Sequence, residues 1–100
     1  MLKHIVMWKF KDVAEGTMKD ENLRKAKSLL DSLPPVIPAI REFEVGIDTL
    51  HSDSSYDLVL ISTFESAVAL TEYQTHAEHG KVVEFLRKVH AGKIVVDYVA

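Results

Sequence analysis

Tyr56-Asp57-Leu58-Val59-Leu60-Ile61-Ser62-Thr63-Phe64 has the length of a β-strand but does not alternate. Successive side chains of a strand point to opposite faces, so the run Leu58 to Ile61 places apolar groups on both sides of whatever sheet it joins. The closing segment, residues 93–99, repeats the pattern with Ile94, Val95 and Val96. Apolar side chains on both faces need cover on both, and this requirement drives the reading of the whole chain.

Outward from 56–64, the stretch His51-Ser52-Asp53-Ser54-Ser55 is turn material. Before it, residues 39–50 alternate, with Phe43, Val45 and Ile47 against Glu42, Glu44 and Gly46, and read as a strand. Gly46 fits a bulge or a close backbone approach. Pro34-Pro35 ends the preceding helix, because neither proline offers an N–H and each restricts its predecessor. That helix, 17–33, has Leu23, Ala26, Leu29, Leu30 and Leu33 as its apolar stripe and Thr17 with Asp20 as a capping box. Asp20 and Glu21 at its start, with Arg24, Lys25 and Lys27 after them, suit the helix dipole. Residues 11–16 are a connection. The chain begins with a strand, 2–10, in which His4, Val6, Trp8 and Phe10 share one face opposite Ile5 and Met7. After Phe64, residues 66–75 read as a short helix with Ala67, Leu70 and Tyr73 on one side. A further helix follows over 78–90, ending at Ala91-Gly92, and 93–99 is the last strand.

The order β-α-β-β-α-(α)-β is the split β-α-β arrangement of an α+β, ferredoxin-like fold in a single domain, 1–100. It predicts one mostly antiparallel sheet with the helices on one face. Helices cover only that face, and each Val, Ile or Leu left in water on the other forfeits roughly 1.5–3 kcal/mol. An exposed apolar sheet face marks an interface. The expected cover is a second copy, sheet against sheet, in a homodimer.

Composition limits the functional classes. The chain carries 15 acidic and 12 basic residues, for a formal charge of −3, and no basic cluster interleaved with aromatics, which argues against nucleic-acid binding. Without cysteine there is no disulfide framework, thiolate nucleophile or Cys-ligated zinc. No apolar run reaches membrane-spanning length and the N-terminus does not read as a signal peptide, so a soluble cytoplasmic protein is expected. No glycine loop suited to phosphate is present, and no nucleotide cofactor is expected.

The chemistry-bearing stretch is Tyr73-Gln74-Thr75-His76-Ala77-Glu78-His79. Its phenol and two imidazoles are spaced by threes, which on one helix would place them on roughly one side. His79 is in register with Val82, Val83 and Leu86 and therefore points inward. Imidazole and phenol both move protons, the former near neutral pH. Two readings stand side by side. In one, His79 is a base and Tyr73 an acid acting on an enolisable ligand. In the other, both residues hold the fold, with the tyrosine hydrogen-bonded to a loop and the histidine packing the helix start. His76 and His79, with Glu78 between them, suggest a metal, but no third ligand stands at a recognisable offset, so none is expected. His51 and His90 read as solvent-facing. Trp8, Phe10, Phe43, Phe64, Phe85 and Leu86 are core candidates, some of them able to line a cavity. Asp97, in a largely apolar strand, needs a partner if buried, and pairing to a histidine or a plain edge position are both open.

The chain resembles the stress-responsive A/B barrel (Dabb) family. The resemblance rests on Lys3-His4 through Phe10-Lys11, Ile37-Pro38-Ala39-Ile40 leading to Gly46, and Tyr56-Asp57-Leu58 through Thr63-Phe64-Glu65-Ser66. Tyr73 with His76 and His79, and Val96-Asp97-Tyr98, complete it. It implies two ferredoxin-like units paired in a dimeric α+β barrel. One plant branch of the family contains a polyketide cyclase that works by aldol condensation. That likeness would assign Tyr73 and His79 as a catalytic pair without a cofactor, with His4 and Asp97 at the same cavity. Trp8, Leu86 and His76 would complete a site for a small carbonyl or phenolic ligand. The sequence departs from that branch in helix 17–33, which has no aromatic residue. A non-catalytic binding or structural module is the alternative, and an oxygen-using monooxygenase is an analogy of fold alone.

Overall fold

The four long extended segments pair into a single antiparallel sheet. In the computed structural model, which describes residues 1–100, strands β1 (Leu2–Phe10), β4 (Glu42–Ile47), β5 (Leu58–Phe64) and β6 (His90–Val99) lie in the order β4-β5-β1-β6. Every neighbouring pair is antiparallel, with registers such as Val6 opposite Leu60 and Val95, and Val45 opposite Leu60. β1 and β5 sit in the middle and carry the most continuous apolar runs. Three helices, α1 (Lys19–Asp31), α2 (Ala67–Thr75) and α3 (Ala77–Val89), follow the order expected for the α+β, ferredoxin-like fold. None of them is long and apolar enough to cross a membrane.

Residues opposite one another across an antiparallel pair share a face. The covered face therefore carries His4, Val6, Trp8 and Phe10 from β1 and Leu58, Leu60, Ser62 and Phe64 from β5, all buried. Leu23, Ala26 and Leu30 of α1, with Val82, Leu86 and Val89 of α3, complete the core above them. The other face presents Ile5, Met7, Val59, Ile61, Ile94, Val96 and Tyr98, of which Val96 is 60% exposed. No element of the chain lies over it.

Several local expectations are corrected. Thr17 does not cap α1. It pairs with Ala14 in a small hairpin, β2 (Val13–Ala14) with β3 (Thr17–Met18), and its hydroxyl donates to the Glu15 carbonyl. The helix starts after Met18 without a side-chain cap. Buried Asn22 ties it to the hairpin instead, donating to the carbonyls of Ala14 and Thr17. The last turn of α1 holds no cation, and Lys27 is spent on Asp31 at 2.8 Å. β4 is shorter than 39–50, because Arg41 and the residues before it form turns over the buried Ile37. In α2, Leu70 and Tyr73 are buried but Ala67 is exposed. Gly46 does make a close approach, since a Cβ there would meet the Val59 side chain at 3.3 Å.

Candidate acid–base site

The chain between α2 and α3 is where the site begins. Ser66 caps α2, its hydroxyl accepting the Ala69 N–H. At the other end His76 leaves helical geometry at ψ 139°, closing α2 and opening α3. Its Nδ1 accepts the Glu78 N–H at 3.1 Å, so this imidazole serves as the N-cap of α3. Tyr73, His76 and His79 consequently do not share one helix face. Tyr73 and His79 turn inward and line a cavity of about 390 Å3 between the helices and the sheet, whereas His76 is absent from its wall. The expected ligand role of His76 is thus replaced by a capping one, because the backbone break rotates it away from the other two.

Tyr73 is only 1% exposed and is ringed by aromatic side chains. Ring centroids of Phe64, Phe43 and His4 lie at 5.1, 6.1 and 6.5 Å, and that of His79 at 4.4 Å. Its hydroxyl has no protein hydrogen-bond partner, and yet it is not one of the sealed, unsatisfied polar atoms, of which there are none. The oxygen therefore opens onto the cavity that Tyr73 lines. This removes the loop hydrogen bond on which the structural reading of Tyr73 depended. Burial pushes the phenol well above its usual value, so it remains a proton donor at any physiological pH.

His79 lies 3.1 Å from the Gln74 carbonyl through Nδ1. A carbonyl only accepts, so Nδ1 carries the proton and Nε2 keeps the lone pair. Burial lowers the imidazole pKa below its ordinary 6.5. The Gln74 hydrogen bond opposes that shift, and the charges of His4, Lys93 and His76 add to it. Near pH 7 the pair is a neutral imidazole beside a protonated phenol, which is the protonation state acid–base chemistry needs.

His4, 6% exposed on β1, faces the same cavity, and its Nδ1 is 2.5 Å from Asp97 of β6. The two residues are directly opposite in the sheet register, so Asp97 has the histidine partner that one of the open alternatives required. Trp8 and Leu86 also line the cavity. Histidine His51 is exposed as expected, but His90 is not a solvent-facing terminus. It is half-buried, donates from Nδ1 to the Leu86 carbonyl at 2.6 Å and lines the cavity together with Arg87 and Lys93. Sequence reasoning missed these three. Arg87 and His90 stand eight and eleven residues after His79, on one side of the helix read over 78–90, and that spacing was the available signal for these two; Lys93 lies on β6 opposite Trp8, a register no local spacing gives. No three His, Asp or Glu side chains are grouped as a metal ion would need.

Comparison with known proteins agrees with this architecture. The chain is 25% identical over 99 residues to olivetolic acid cyclase of Cannabis sativa, covering 97% of this chain and 94% of that protein. It is 27% identical over 97 residues to a stress-response A/B barrel domain protein of Arabidopsis thaliana, covering 97% of this chain and 87% of the relative. A crystal structure of a dimeric, ferredoxin-like protein of unknown function from Bacteroides fragilis superposes with a TM-score of 0.84 at 26% identity, covering 99% of this chain and 95% of that one. Residues 2–100 match the family described as Stress responsive A/B Barrel Domain, and the chain belongs to that family.

Proposed function

We propose that the protein is a homodimer whose helix–sheet cavity binds a small carbonyl or phenolic compound and moves protons on it without a cofactor. The observation that carries this reading is the Tyr73 hydroxyl, which is buried and bonds to no protein group, on a ring whose centroid lies 4.4 Å from that of His79 at the wall of the same cavity. Burying a hydroxyl without a partner costs about 1–3 kcal/mol, a cost relieved when a ligand oxygen takes the hydrogen bond.

In this scheme His79 Nε2 removes a proton from the carbon next to a carbonyl. The electron pair moves onto the carbonyl oxygen, and Tyr73 donates a hydrogen bond to the resulting enolate. Where the same ligand offers a second carbonyl, the enolate carbon attacks it, and the proton on His79 passes to the alkoxide formed. The likeness to a cyclase supports this class of reaction. His4 is a positioning residue, its ring oriented by Asp97 at 2.5 Å and stacked edge-on at 6.5 Å from Tyr73. The exposed apolar sheet face is the surface we assign to the partner copy, and the description of the Bacteroides relative as dimeric supports self-association.

A histidine-detected NMR titration with small phenols and β-keto compounds tests the reading. Signals of His79 and His4 are expected to shift while that of His51 stays fixed. A His79 ring that no compound moves would refute it.

A further inference from the structure

Among the 16 residues of the cavity wall, two carry a permanent positive charge, Arg87 near the end of α3 and Lys93 on β6. They come from different elements and line the same cavity. Neither has an ion-pair partner, as is true of most cations of this chain; what sets these two apart is their place on the cavity wall. Lys93 stands close enough to His79 for its charge to act on that imidazole. The only carboxylate on the wall is Asp97, and it is already bonded to His4. A protein of net charge −3 thus sets two cations on the wall of this partly open, mostly apolar cavity, with Asp97 the one carboxylate beside them. Low-dielectric walls focus such a field and favour an anion inside.

We propose that the ligand of this cavity is a carboxylate, its acid group held between Arg87 and Lys93 and its carbonyl or phenol directed to Tyr73 and His79. This rests on the reading of the cavity as a ligand site and adds the substrate class. The arrangement also has a chemical consequence. A carboxylate at one end of the cavity fixes which carbonyl of a chain lies against His79, since a guanidinium receives a carboxylate in a defined, forked geometry.

Matched pairs of acid and ester separate the possibilities. Salicylate with methyl salicylate, and acetoacetate with methyl acetoacetate, differ in charge and little in shape. Binding to the intact protein is followed by calorimetry and by the His79 NMR signal. The acids are expected to bind at least about tenfold more tightly than the esters, the scale of a charge-assisted hydrogen bond. Arg87→Gln combined with Lys93→Met should abolish that preference, so that acid and ester of each pair bind the variant with equal affinity, while the melting temperature stays unchanged, since both side chains are exposed. Acids and esters bound equally well, with His79 shifting for both, would overturn the carboxylate assignment and keep the ligand site. Failure of all four compounds to bind, with His79 unmoved, would overturn both. An acid preference that survives in the double variant would overturn the roles of Arg87 and Lys93.

Discussion

The hydroxyl of Tyr73 separates a structural from a chemical role at the scale of single residues. Its ring contributes to the core through Phe64 and Phe43, while its oxygen bonds to no protein group. Tyr73→Phe should therefore leave the melting temperature within about two degrees of the parent, because no internal hydrogen bond is lost; a structural hydroxyl would cost about 1 kcal/mol and several degrees. The pH dependence of His79 has a definite sign. Its pKa is held below 6.5 in the folded protein, so folding favours the neutral ring. That contribution to stability is complete above 6.5 and is lost as the pH falls through the lowered value. An NMR titration of the His79 ring should have its midpoint below 6.5, and catalysis that uses His79 as a base should fall off only on that acid side. A midpoint at or above 6.5 would contradict the burial assigned to this ring.

Among the elements, the join between α2 and α3 decides where the site residues point. His76 caps α3 through a side-chain nitrogen on the Glu78 N–H. His76→Ala is expected to destabilise the protein by about 1 kcal/mol in denaturant titrations, and His76→Asn, a good capping residue, to restore most of it. If His76→Ala had no effect on stability but weakened ligand binding, the capping assignment would be wrong. The same join marks the limit of sequence reading. The inward direction of His79 was legible from its register with Val82 and Leu86, and the face of β1 from the alternation of His4, Val6 and Trp8. The break between helices 66–75 and 78–90 was legible as well, but the direction in which it turns His76 was not, because that depends on the ψ of His76 itself. His90 does serve the end of α3, through the Leu86 carbonyl, but its solvent-facing reading failed because the chain continues directly into β6 and the ring stays over the cavity. Thr17 looked like a cap because its neighbours suit one, and the two-residue hairpin that claims it leaves almost no pattern in so short a segment.

For the whole molecule, the open sheet face is the dominant unsolved burial. Ile94, Val96 and Tyr98 of β6 and Met7 of β1 are all more than a third exposed. Each still has apolar surface to bury, and a second sheet supplies the cover. Ile94→Glu would place a carboxylate without a partner in that interface, and such a charge is costly to bury. The variant is expected to sediment as a monomer where the parent sediments as a dimer; a dimer unaffected by Ile94→Glu would move the interface elsewhere. This face was readable in advance from the run Leu58 to Ile61 and from Ile94 to Val96, since apolar groups on both sides of a strand leave few alternatives. The cavity on the opposite face is where sequence and chemistry meet, and the central claim is that Tyr73 and His79 move a proton there. Its most direct measurement is uptake of deuterium from solvent at the carbon between the carbonyls of a β-keto carboxylate, followed by NMR with the parent protein, Tyr73→Phe and His79→Ala. The account predicts exchange above the uncatalysed rate for the parent and a loss of about a hundredfold or more of that excess in each variant. Exchange at the uncatalysed rate with the parent, or an acceleration untouched by both substitutions, would contradict it.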